Sequence, residues 1–178
     1  MGAGKTSVGR ALGQRLNWVF EDLDDRLERE QGRTVAEIFR DSGEAAFRQA
    51  ENKALAHVLA ELQAGVPRVV ALGGGAFVQP ENVTLLKSSA VPTVFLDASV
   101  DDLWQRCRLQ EGEAGIERPL LRSIDQFRDL YAVRREGYAT AAFRIQTAGR
   151  SIEAIVDEIV QALELKATKV RTEEGEVE

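Results

Sequence analysis

The stretch Met1–Arg10, "MGAGKTSVGR", decides how the chain is read. Gly4-Lys5-Thr6 matches the end of a phosphate-binding loop, G-x-x-x-x-G-K-S/T. In such a loop small residues let backbone N–H groups turn in around phosphate oxygens, and the following helix offers its positive end. Lys5 is placed to reach the β- and γ-phosphates, and the Thr6 hydroxyl to ligate Mg²⁺. The continuation "SVGRALGQRL" sets Val8, Leu12 and Leu16 along one helical face, as the helix behind the loop requires. Counting back five from Gly4, the loop's first glycine falls two residues ahead of Met1. The strand that ordinarily leads into the loop has no counterpart in the sequence. The expectation is a site whose chemistry is intact and whose central strand is missing, as in an incomplete reading of a longer chain.

Composition bounds the rest. A length of 178 residues fits one domain with a core of its own. A 44% hydrophobic and 29% charged content is that of an ordinary globular chain. The net charge of −6 argues against a sequence-independent nucleic-acid binder, which needs a basic face. It leaves room for a small anion in a locally positive pocket. Cys107 is the single cysteine, so no internal disulfide forms and a reducing cytoplasm is the simpler setting. No apolar run approaches the roughly 20 residues of a membrane span.

Apolar runs alternate with helical patterns. "WVF" at 18–20 reads as a strand entering an acidic loop, "RVVAL" as a buried strand meeting a glycine turn, and "TVFLD" at 93–97 and "AFRIQT" as two more strands. Helices are expected at "GRTVAEIFRDSG" with Gly43 as its stop, from about Glu44 onward, from "VDDLWQRCRL" with Ser99 as cap, from about Ser123 to Tyr138, and at "SIEAIVDEIVQALEL". The polar stretch "QEGEAGIERP" reads as a mobile loop, and the segment 166–178 as a disordered tail. Strands alternating with helices imply a parallel sheet covered on both faces, an α/β layered fold with its ligands beyond the carboxyl ends of the strands. The motifs gather at that edge.

Asp22 and Asp24, spaced D-x-D after "WVF", share a face if the chain is extended, one able to hold Mg²⁺ and the other to take a proton from an attacking hydroxyl. The plainer alternative has Asp22, Asp24 and Asp25 capping the next helix. Gly73, Gly74 and Gly75 after a buried strand are entropically costly unless something approaches the backbone closely. Arg48 sits on a helix between acidic neighbours. Arg118, fixed by Pro119 at the end of the polar loop, is placed to swing over a phosphate. Arg134 and Arg135 close a helix, where cations are favoured in any case. His57 carries no chemistry in this reading.

In order, "MGAGKTSVGRALGQRL", "DLDDRLE", "GRTVAEIF", "GEAAFRQAE", "LGGGA", "ERPLL" and an arginine four residues before Tyr138 resemble the shikimate kinases, small P-loop kinases related to nucleoside-monophosphate kinases. The phosphate loop is generic; the remainder, in this order, is specific. The resemblance covers 1–165, with a lid at about 109–119 that is longer than in compact members. It implies ATP and Mg²⁺ as cofactors, and shikimate as the small-molecule substrate of a cytoplasmic monomer with no nucleic-acid or membrane partner. Gly2, Ala3, Gly4, Lys5, Thr6 and Ser7 would hold the ATP phosphates, Thr6 and Asp22 the metal, and Arg106 the adenine. Asp24 would bind the ring hydroxyls and act as base. Arg48 and Arg134 would grip the shikimate carboxylate, Gly73, Gly74 and Gly75 would lie against the ring, and Arg118 would contact the phosphates from the lid. The implied sheet has strand order 2-3-1-4-5, with the first, central strand absent. Two rivals stay open, another small kinase such as a gluconate kinase and a catalytically silent copy.

Overall fold

A computed structural model describes residues 2–114 and 123–168, with the backbone alone at 110–114. Helix α1 (Lys5–Leu16) leads to strand β1 (Val19–Asp22), helix α2 (Leu23–Gln31) and the long helix α3 (Val35–Gln63). Strand β2 (Arg68–Ala71), a 3₁₀ turn (Ala76–Val78) and helix α4 (Pro80–Ser89) follow. The chain ends with β3 (Val94–Asp97), α5 (Val100–Ala114), α6 (Ile124–Tyr138), β4 (Phe143–Gln146) and α7 (Ile152–Ala162).

The strands form two parallel ribbons. In one, Val19 to Asp22 of β1 pair with Arg68 to Ala71 of β2; in the other, Val94 to Asp97 of β3 pair with Phe143 to Gln146 of β4. These are the outer pairs of a 2-3-1-4-5 sheet, and among the described residues no strand lies between β2 and β3. A cavity of about 620 Å³ takes that place, lined by Val69 to Leu72 on one flank and Val94 to Leu96 on the other. Helices α1 and α3 contribute Val8, Leu12, Leu55 and Val58 to its walls.

Strand periodicity shows the layers. Val69 packs with α1 and α7, whereas its neighbour Val70 packs with the cluster built from α2, α3 and α4. Successive strand side chains point to opposite faces, so helices cover both sides. Leu16, Ile155, Val156 and Ile159 are buried in one cluster, and Leu23, Leu27, Ile38 and Leu55 in the other. A third cluster, Leu103, Cys107, Phe127 and Tyr131, joins α5 to α6.

Local chemistry sets the boundaries. Thr34 and Glu37 form a reciprocal capping box at the start of α3, and Ser99, Ser123 and Ser151 accept from backbone N–H groups at three later helix starts. Gly43, at φ 77° and ψ 174°, breaks α3 into two helical segments, a conformation open to glycine alone. The short and long helices expected on either side of it are thus both present.

Four expectations need correction. The acidic residues after β1 are no loop: Asp22 ends the strand and α2 starts at once, because the Asp22 carboxylate accepts from the Asp24 N–H at 3.1 Å. The polar run after Leu109 is helical to Ala114, since Gln, Glu and Ala favour helix enough to carry Gly112; 115–122 lie outside the described residues. Helix α4 was not expected, although Pro80 at its first turn and Leu86 on its buried side signal it. Lys166–Thr168 are held in place, Thr168 donating to the Leu16 carbonyl at 2.9 Å and accepting from the Trp18 indole at 2.9 Å; 169–178 lie outside the described residues.

Helix α1 meets β1 through glycines. A Cβ added at Gly13 would stand 2.8 Å from the Trp18 carbonyl, and one at Gly9 would stand 2.4 Å from the Phe20 ring. Gly13→Ala should therefore destabilise the chain by about 1–3 kcal/mol, overpacking outweighing a helix-propensity gain of up to about 1 kcal/mol. Urea denaturation should show the lower midpoint; a higher one would refute this packing.

Candidate active site

The candidate phosphate end of the site begins with two glycines. Gly4 caps α1 at φ 80°, with no side-chain cap and no acidic residue in the first turn. The N–H groups that start a helix thus face outward with nothing anionic nearby on their own helix, which suits a phosphate. Gly2, at φ 62°, lies against α5, and a Cβ there would stand 2.6 Å from the Leu103 carbonyl. Thr6 and Ser7 are exposed in the first turn, and Ala3 is half-buried beside them. Arg106 is half-buried on α5, next to the Cys107 that packs against Gly2.

Asp22 and Asp24 do not share a strand face, as an extended D-x-D would. Asp22 is the cap of α2 and Asp24 lies in its first turn. The capping and functional readings are therefore compatible: one Asp22 oxygen holds the helix, and the capping bond sets where Asp24 points. Burial raises both carboxyls, and the neighbouring Asp22 and Glu51 carboxylates push Asp24 further, to about 6, against the pull of Lys5. A carboxyl near 6 beside a lysine is poised to accept a proton at neutral pH.

The glycine turn explains itself through its neighbours. A Cβ at Gly73 would stand 2.9 Å from Asp24 Oδ1, and one at Gly75 would stand 2.8 Å from Arg48 Nη1. Both functional side chains lie on bare backbone. Arg48 is held by the carboxylates of Glu51 at 3.0 Å and Glu44 at 3.1 Å, and its guanidinium covers the Phe47 ring. Glu51 is buried, and Asn82 reaches it while donating to the Ala76 carbonyl at 3.1 Å. Arg134, one turn before Tyr138 on α6, acts electrostatically on Glu51 and on the Tyr138 phenol, and Glu51 is also the carboxylate that binds Arg48.

The structure therefore joins Lys5, Asp22, Asp24, Arg48, Gly73 to Gly75 and Arg134 at the ends of β1 and β2. Arg118 lies outside the described residues. Sequence reasoning missed Glu51, Asn82 and Tyr138. The signal for Glu51 was present, a charged residue at a core position of an amphipathic helix, which is costly unless paired.

A family model described as shikimate kinase matches residues 1–164. This chain belongs to the shikimate kinase family. A shikimate kinase of Symbiobacterium thermophilum is 42% identical over 168 residues, covering 92% of each chain. One from Cereibacter sphaeroides is 37% identical over 177 residues, covering 98% of this chain and 84% of its own. Among solved structures, the shikimate kinase of Acinetobacter baumannii in complex with shikimate has a TM-score of 0.72 at 33% identity, covering 92% of this chain and 88% of that one. The enzyme of Bacteroides thetaiotaomicron has a TM-score of 0.77 at 31% identity, covering 93% and 94%. A gluconokinase of Sinorhizobium meliloti, 19% identical with a TM-score of 0.56, shows the shared fold alone. In this family ATP with Mg²⁺ is used, and the strand-end cluster is where family membership and geometry meet.

The raised Asp24 pKa yields a stability test. Its folded value, about 6, lies above its ordinary 3.8, so the native state holds more protons across that window and stability falls as pH rises through it. Asp24→Asn should unfold at higher urea than the unmodified chain at pH 7–8, by about 1–3 kcal/mol. Below about pH 3.8 the advantage should vanish; an advantage independent of pH would contradict the assignment.

Proposed function

We propose that this chain transfers the γ-phosphoryl group of ATP to a ring hydroxyl of shikimate, giving shikimate 3-phosphate and ADP. The observation that carries the reading is the seating of Asp24 and Arg48 on the Gly73–Gly75 backbone, with Arg134 brought to the same place. A planar carboxylate suits a pair of guanidinium groups, each offering parallel N–H donors. The ring then lies along a turn whose missing side chains leave it room. Asp24 takes the proton of the attacking hydroxyl as the new O–P bond forms and the bond to the ADP oxygen breaks; the proton passes to solvent when the products leave.

Lys5 and the N–H groups of Gly2 to Ser7 hold the phosphates and Arg106 serves the adenine, while a phosphate role for Arg118, outside the described residues, rests on the family's motif alone. The donor set fits Mg²⁺, which takes one or two carboxylates beside phosphate oxygens: the Thr6 hydroxyl and the Asp22 oxygen not engaged in capping would hold it, and it would neutralise phosphate charge. Most of the catalysis is then positioning and charge stabilisation. We take the chain to act as a monomer. Among the described residues no helix is long and apolar enough to cross a membrane. The cytoplasmic setting proposed for the reaction rests on Cys107, the single cysteine, which suits a reducing compartment.

Arg48→Ala and Arg134→Ala should each weaken shikimate binding by about 2–5 kcal/mol in calorimetry while leaving ATP affinity nearly unchanged. Wild-type shikimate affinity in either variant sinks the carboxylate assignment. Asp24→Asn should lower kcat by about 10²–10⁴ in a coupled ADP-release assay, with nucleotide binding intact. Unchanged turnover would remove Asp24 from the chemistry.

A further inference from the structure

Tyr138 ends α6 four residues beyond Arg134, one turn along the same helical face. Its ring is half-buried against Phe95 of β3, with centroids 5.5 Å apart. Its hydroxyl donates to the Gly74 carbonyl, in the turn that seats Asp24 and Arg48. Burial holds the phenol above its ordinary range, and the charge of the Arg134 guanidinium opposes that rise. The O–H donates to the turn, which leaves the oxygen's lone pairs open to the Arg134 guanidinium one helical turn earlier.

The rest of α6 is docked by other means. Tyr131, two turns earlier, donates its hydroxyl at 3.1 Å to Asp97 and to the Ala98 carbonyl at the end of β3. Gly137 lies tight on the 3₁₀ turn, where an added Cβ would stand 2.7 Å from Val78. The helix is therefore anchored without the Tyr138 hydroxyl, which leaves that hydroxyl to orient Arg134 and Gly74.

We propose that Tyr138 is a positioning residue for the substrate's carboxylate: its hydroxyl fixes the Arg134 guanidinium against the glycine turn, so that Arg134 and Arg48 present one preformed anion site. This rests on the reading of Arg48 and Arg134 as the carboxylate pair. A long arginine side chain otherwise loses rotamer freedom on binding, and prior fixing moves that cost into folding.

The test is Tyr138→Phe, which keeps the ring on Phe95 and removes the oxygen alone. Shikimate Kd by calorimetry, and KM with it, should rise about five- to tenfold, the loss expected for one orienting hydrogen bond. ATP affinity and kcat should stay within about twofold. In an Arg134→Ala background the same change should leave shikimate Kd unaltered, because the hydroxyl acts through that guanidinium. Tyr131→Phe serves as the structural comparison and should lower the melting temperature more than it alters KM. Unchanged shikimate Kd in Tyr138→Phe, or a loss that persists undiminished without Arg134, overturns the proposal. So does a parallel fall in kcat, ATP affinity and melting temperature, which marks a purely structural role. If the unmodified chain binds no shikimate, the carboxylate reading falls and takes this one with it; if it binds shikimate and Tyr138→Phe binds as tightly, the tyrosine assignment alone falls.

Discussion

Helix α1 must lie close to both halves of the sheet, and much of the molecule follows from that constraint. Gly9 and Gly13 thin one side of it enough for Phe20 and the Trp18 backbone to rest on the helix. Val8, Leu12 and Leu16 on its other side reach Leu96, Ile145 and α7. The same helix begins at the phosphate loop. The positions of the proposed phosphate loop, of Asp24 beyond β1 and of the elements around β3 are therefore set by one rigid rod. A 1 Å displacement in such a geometry can cost about 10²-fold in rate, so packing along α1 is also catalytic geometry.

Electrostatics at the substrate end balance opposing demands. The chain is acidic overall at −6, yet the proposed carboxylate site needs positive charge. Glu51 limits that charge without cancelling it. Buried and bonded to Arg48, it fixes the guanidinium in place, and Asn82 takes part of its remaining capacity. A buried ion pair is a poor source of stability, because desolvation consumes most of its attraction. Its use here is geometric: a long, flexible cation is made rigid before the substrate arrives.

The sequence made the fold class legible because each strand end carried its own chemistry. The Gly4-Lys5-Thr6 loop, the aspartates and the triple glycine all belong at one edge of a parallel sheet, and the structure puts them there. The need for Gly73 and Gly75 was legible as a close approach, but not what approaches: Asp24 and Arg48 come from α2 and α3, far away along the chain. The D-x-D pair was misplaced because a strand ending and a helix starting at the same residue leave no periodicity to read. The role of Tyr138, which the sequence offers only as a motif landmark beyond Arg134, was hidden for a related reason. Its partner, a backbone carbonyl 64 positions earlier, has no signature in any sequence.

The packing on the two faces of the sheet bears on how the molecule holds together. Among the described residues, hydrogen-bonded ladders join β1 to β2 and β3 to β4. Two apolar clusters cover opposite faces of these strands, and the one that holds α1 takes side chains from β2, β3 and β4 alike; α6 also seats on the 3₁₀ turn. Shared packing of that kind makes unfolding cooperative, and amide-hydrogen exchange reports whether the two strand pairs open together. The proposed site draws on the same elements, with Asp24, Arg48 and the glycine turn beyond β1 and β2, the phosphate loop at the start of α1, and Arg134 on α6. A ligand bound there touches elements from across the fold, and its affinity adds to the stability of the whole.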